Sequence, residues 1–123
     1  MGFTDEEMGV THLVDDPVKA SRGGWILKDL DPVFRCRDLR ELYDILTPGG
    51  TYEGRCTAPL LVDRKTRSIV SNDSGDIVRM FNSLRFGRPE EEDERQRIDL
   101  VPSDLAETID ATNAWVNRLL NDG

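Results

Sequence analysis

Residues Arg55 to Phe81 read R-C-T-A-P-L-L-V-D-R-K-T-R-S-I-V-S-N-D-S-G-D-I-V-R-M-F, and this stretch decides the fold. Thr57 to Val62 is apolar and short enough for a buried strand, with Pro59 near its start. Asp63 to Arg67 is a polar connection of hairpin type, and Ser68 to Ser71 is a second strand. Ile77, Met80, Phe81 and Leu84 then recur at i, i+3, i+4 and i+7, which is one apolar face of a helix opening at Asp73-Ser74. The unit is strand, turn, strand, helix.

Upstream, Leu39, Leu42, Tyr43 and Leu46 mark an amphipathic helix from about Cys36 to Leu46, closed by Pro48-Gly49-Gly50. Val10, Leu13 and Val14 suggest a strand over Gly9 to Val14. Asp15 to Gly24 carries Pro17 and Gly23-Gly24 and reads as an irregular surface connection. Trp25-Ile26-Leu27 reads as a brief apolar patch in a loop-like setting. Downstream, Arg85 to Arg97 contains R-P-E-E-E-D-E-R-Q-R, too charged to bury, and is expected to be an exposed linker and the domain boundary. Pro102-Ser103-Asp104 opens a last helix, with Ser103 as its expected N-cap and Asp104 and Glu107 suited to the positive helix end. Its stripe of Leu105, Ile109, Thr112, Val116 and Leu119 needs other helices to pack against.

The chain has 123 residues, enough for one small domain or one domain with a piece of another. With 24 acidic against 16 basic side chains its net charge is -8, which disfavours nucleic acid, where Lys and Arg must neutralise phosphates. No apolar run approaches the roughly 18 residues of a membrane span. The start, M-G-F-T-D-E-E-M, is acidic and unlike a signal peptide, so a cytoplasmic setting is expected. Two cysteines make no disulfide framework, and with His12 as the only histidine there is neither a zinc-ligand set nor a Cys-His pair.

Asp73-Ser74 is the most informative pair. The first turn of a helix presents unpaired N–H groups and partial positive charge, which suit a carboxylate or phosphate. Ser74 could donate to such an anion while Asp73 pairs with an ammonium, so the two fit an amino-acid head group. Capping accounts for the same residues, with Asp73 as N-cap and Asp76 three positions on. Pro59 at the start of a strand is either an edge proline or one half of a cis Ala58-Pro59 bond that turns the Ala58 backbone to a ligand, and cis accounts for about 5–6% of X-Pro bonds. Cys36, between Arg35 and Arg37, has the better electrostatic setting for a reactive thiol, and Cys56 the poorer; a buried or bystander thiol is the simpler reading for both. Arg35, Arg37, Arg40 and the set Arg64, Lys65 and Arg67 read as solvated faces.

A-P-L-L-V-D, its polar turn and I-V-S-N-D-S-G-D-I-V-R-M-F-N-S resemble the second half of the thioredoxin-like domain of glutathione transferases. Within that superfamily the chain is most similar to the glutathionyl-hydroquinone reductases of the xi class, which are omega-like and carry T-V-P-V-L-W-D followed by I-V-N-N-E-S-x-E-I-I-R-M. Y-E-G-R before the strand, I-D-L-x-P before the last helix, N-A-W-V-N within it and Gly24-Trp25 extend the match to about Val10 to Gly123.

The resemblance implies an α/β fold: an incomplete thioredoxin-like glutathione-binding domain over residues 1–86 (strand, helix, two-strand hairpin, helix), an acidic linker over 87–101, and over 102–123 the first helix of an all-α domain. It implies that the Ala58 backbone pairs with the cysteinyl unit of glutathione, that Pro59 is the cis proline, that Asp73 and Ser74 bind the γ-glutamyl head group, and that Trp25 stacks beside the tripeptide. Glutathione would be a co-substrate, the other partner a quinone-derived conjugate, and the assembly a homodimer as in the family. In the family reaction a cysteine thiolate takes glutathione off a glutathionyl-hydroquinone as a mixed disulfide, and a second glutathione releases the enzyme as glutathione disulfide. That cysteine stands in C-P-W-A, which is absent from this sequence, and neither Cys36 nor Cys56 aligns with it. No catalytic residue is therefore expected here, and the chain reads as a truncated member supplying the glutathione cradle, or as a non-catalytic binding or protein-interaction module. Asp73 in place of Glu and Val62 in place of the family tryptophan are further departures.

Overall fold

The computed structural model of the chain describes residues 8–16, 18–19, 24–83 and 99–121. It divides into two compact units, Met1–Ile77 and Val78–Gly123. The first unit is mixed α/β: strands β1 (Leu13–Asp15) and β2 (Trp25–Leu27), helix α1 (Leu39–Leu46), strands β3 (Leu61–Asp63) and β4 (Ser68–Ser71), and the first turn of helix α2 (Ser74–Ser83). β1 and β2 form one antiparallel pair, Leu13 opposite Leu27 and Asp15 opposite Trp25. β3 and β4 form another, from Leu61 opposite Ser71 to Asp63 opposite Ser68, with a register shift between Leu61 and Val62.

Trp25-Ile26-Leu27 is thus a strand rather than a loop. Its pairing comes from β1, and only Leu27 of the three is buried. A three-residue strand shows too little alternation to be seen in isolation.

α1 forms where its apolar spacing predicts, and Leu39, Leu42, Tyr43 and Leu46 are its buried residues. Asp38 caps it by accepting from the Glu41 N–H at 2.7 Å, and Glu41 reaches back to accept from the Arg37 N–H at 2.7 Å, in the manner of a capping box. The helix thus begins at Leu39, three residues beyond Cys36. Gly49 and Gly50, at φ of 91° and 77°, take the left-handed conformations that turn the chain away after it.

The core of this unit is Leu27, Phe34, Cys36, Leu42 and Leu46, with Leu13, Leu60, Val62 and Ile69 packed against it. Phe34 is delivered by a turn built on buried Asp31, whose Oδ1 accepts from the N–H groups of Val33 at 2.9 Å and Phe34 at 2.6 Å. Arg67, at φ 54° in the β3–β4 turn, lays its guanidinium 5.0 Å from the Phe34 ring centre, a cation–π contact.

In the second unit, Arg79 on α2 pairs with Asp110 on helix α3 (Ala106–Val116). Asn82 donates to Asp99 at 2.9 Å and accepts from the Leu100 N–H at 2.8 Å. α3 opens at Leu105 without a side-chain cap, so Ser103 is not the N-cap: the Leu105 N–H bonds the Pro102 carbonyl at 3.0 Å and places Ser103 in the preceding turn. The helix buries none of its residues and continues into a π-helical turn, Asn117–Asn121. Leu84 and residues 87–98 of the expected linker lie outside the described residues. No described helix is long and apolar enough to cross a membrane.

Candidate glutathione site

The Ala58-Pro59 peptide bond is cis. It lies within the irregular segment from Thr51 to Leu60, just ahead of β3. Ahead of it the chain borders an open cleft of about 570 Å³, walled by Trp25 of β2, Arg40 of α1, and Gly54, Arg55, Cys56, Thr57 and Ala58. Two of the five residues expected to bind the ligand, Trp25 and Ala58, therefore share one cavity although 33 positions separate them. Trp25 is 43% exposed, so an indole face is available to a ligand. Pro59 follows Ala58 and is exposed, outside the cleft lining.

Asp73 and Ser74 stand exposed where β4 passes into α2, and neither lines this cleft. Asp73 Oδ1 accepts from the Asp76 N–H at 2.9 Å, and the Asp73 carbonyl accepts from the Ile77 N–H at 3.0 Å, which makes Asp73 the N-cap of α2. Ser71 Oγ accepts from the Asp73 N–H at 3.1 Å. The cap uses one carboxylate oxygen and leaves Ser74 in the first turn.

Arg40 is the wall residue that sequence reasoning placed on a solvated face. Its Nη1 lies 3.5 Å from Cys56 Sγ and its Nη2 donates to the Tyr52 carbonyl. Its buried Nε sits 3.5 Å from Asp44 Oδ1, at ion-pair distance but off hydrogen-bond alignment. The i, i+4 spacing of Arg40 and Asp44 was the available signal, since such a pair anchors a long side chain against its helix. Tyr52, which holds Arg40 through its carbonyl, donates its own N–H to Asp44 Oδ1 at 2.8 Å, and its ring lies 4.6 Å from that of Tyr43.

The two thiols differ sharply. Cys36 is fully buried, and burial, reinforced by the carboxylates of Asp31 and Glu41, pushes its pKa up from 9.0 to about 11. Arg35 and Arg37, its sequence neighbours, both point to solvent, so the cationic setting inferred from their order is absent. Cys36 is a core residue. Cys56 is half-buried and faces the cleft.

Comparison with known proteins gives consistent relatives. The chain is 39% identical over 93 residues to "Glutathione S-transferase omega-like 2" of Schizosaccharomyces pombe, covering 76% of this chain and 29% of that protein. It is 33% identical over 108 residues to glutathionyl-hydroquinone reductase YqjG of Escherichia coli, covering 81% of this chain and 30% of that protein. Among solved structures, glutathione transferase Xi 1 from Trametes versicolor matches with a TM-score of 0.71 and 33% identity over 96% of this chain and 41% of that one. This chain is homologous to the xi-class, omega-like glutathione transferases. Its mixed α/β architecture is part of their thioredoxin-like glutathione transferase fold. The glutathione-bound structure of YqjG, a glutathione transferase homolog from Escherichia coli, matches with a TM-score of 0.57 and 33% identity over 76% of this chain and 30% of that one. No protein-family model matches the sequence. The chain spans about 30% of the length of these two curated relatives from Schizosaccharomyces pombe and Escherichia coli.

Proposed function

We propose that this chain supplies the glutathione cradle for glutathionyl-hydroquinone reduction of the xi-class kind, and holds no catalytic residue of its own. The observation that carries the reading is the cleft that brings Trp25 to Ala58. In this reading the Ala58 backbone pairs with the cysteinyl unit, Pro59 fixes the bend that presents it, and Trp25 stacks on the tripeptide. The head group sits at the start of α2, its ammonium on the Asp73 carboxylate and its carboxylate on Ser74 and the first-turn N–H groups. Glutathione is then a co-substrate, and the second substrate is a quinone-derived conjugate. The burial of Cys36 and its raised pKa argue against Cys36 as the nucleophilic thiol.

Thermal unfolding of the chain with and without millimolar glutathione tests this. A ligand that binds only the folded state adds about 2.7 kcal/mol at 100 times its Kd. The reading expects an upward shift of the transition, lost in the Asp73→Ala, Ser74→Ala double variant. A cooperative transition indifferent to glutathione would replace it with a non-catalytic interaction module.

A further inference from the structure

We propose that the buried hydroxyl of Tyr43 sets the spacing between the two halves of the glutathione site, so that Tyr43 and Asn72 are positioning residues; this rests on the cradle reading above. Tyr43 is fully buried on α1. Its hydroxyl donates to the Thr57 carbonyl at 2.9 Å and accepts from Asn72 Nδ2 at 3.1 Å. Asn72 Nδ2 also lies 3.5 Å from Thr57 Oγ1. Thr57 immediately precedes Ala58, and Asn72 immediately precedes Asp73. One phenolic oxygen therefore holds the residue next to each half of the site.

The location of this link gives it its importance. The β3–β4 ladder ends at Leu61 opposite Ser71, and the register shift falls at that same end. The segments that would touch glutathione continue past the last paired residues, where strand pairing no longer fixes their separation. There the crossing is made by side chains. The Tyr43 ring is itself held by the Tyr52 ring, 4.6 Å away and tilted by 37°, so the direction of the hydroxyl is set by packing. A tripeptide held at its cysteinyl unit by Ala58 and at its head group by Asp73-Ser74 senses the distance between them. Sites of this kind need their contact groups held to within about 0.5 Å.

Tyr43→Phe removes the hydroxyl and keeps the ring. Measured well below the melting midpoint, its Kd for glutathione is expected to rise about tenfold, the factor that corresponds to loss of one buried hydrogen-bonded group. Asn72→Ala should raise it similarly, and the double variant should bind no more weakly than Tyr43→Phe alone. Without ligand, the amide NMR shifts of Ala58 and of Ser74 should both move in Tyr43→Phe. A purely structural tyrosine would lower the melting midpoint and leave the Kd of the folded protein unchanged; that result overturns the proposal, as does a shift at only one of the two amides. Should Tyr43→Phe not fold, Asn72→Ala carries the same two readouts. Wild-type protein that binds no glutathione overturns the cradle reading instead, and the paired shift change then decides the coupling by itself.

Discussion

The Asp73 carboxylate accepts from the backbone N–H of Asp76 at 2.9 Å, so the residue expected to meet a ligand ammonium also caps the helix that presents it. The two duties can be separated by substitution. Asn caps about as well as Asp, whereas Ala lacks the acceptor and costs roughly 1 kcal/mol. Asp73→Asn should therefore unfold within about 0.5 kcal/mol of wild type, and Asp73→Ala should lose the cap contribution. Glutathione binding should weaken in both, because both lose the charge. Urea titration of the three proteins, with and without glutathione, measures each effect.

Cys36 makes stability depend on alkaline pH. Its folded pKa lies above its ordinary value, so the unfolded chain releases the thiol proton first as pH rises. The contribution is complete below about pH 9.0 and is lost progressively as pH climbs toward about 11. Unfolding free energy should fall across that interval more steeply in wild type than in Cys36→Ala, which removes this titration alone. Iodoacetamide should alkylate Cys56 in the native protein and Cys36 only after unfolding.

Gly54 lies under the ring of Tyr52. A Cβ at this position would stand 2.6 Å from the Tyr52 hydroxyl oxygen and 2.8 Å from Cε1. Gly54→Ala should swing that ring off Tyr43, at a cost of about 1 kcal/mol. Loss of near-UV circular dichroism from the tyrosine pair, beside a lowered melting midpoint, is the expected signature.

α1 offers a contrast on one helix. Leu42 is 9% exposed and belongs to the core, while Ile45 is 40% exposed. Leu42→Ala should cost about 2–4 kcal/mol, and Ile45→Ala less than about 1 kcal/mol. Equal losses in denaturant titrations would contradict the assigned face.

The apolar spacing along α1 made its buried face legible, because four side chains on one stripe leave a periodic mark. The hairpin strand Ser68–Ser71 was legible from its polar boundaries, and β2 was not, because three residues are too few to show alternation. Arg40 was hidden for a different reason. Its charge suggested water, while the Tyr52 carbonyl and the Asp44 carboxylate draw it along the cleft wall. Cys36 misled in the opposite direction, since neighbouring arginines in sequence alternate outward and the carboxylates of Asp31 and Glu41 set its surroundings. Trp25 and Ala58 were expected at the site through family resemblance, whereas their meeting in one cleft is a tertiary fact.

Both tryptophans are about half exposed, Trp25 at 43% and Trp115 at 54%, while Tyr43 is completely enclosed. Indole emission will therefore already be shifted to long wavelength in the native protein and will move little when the chain unfolds. The same exposure makes Trp25 a natural optical reporter of its own cleft: in a Trp115→Phe background, quenching of the one remaining indole follows occupancy there directly, without any added label.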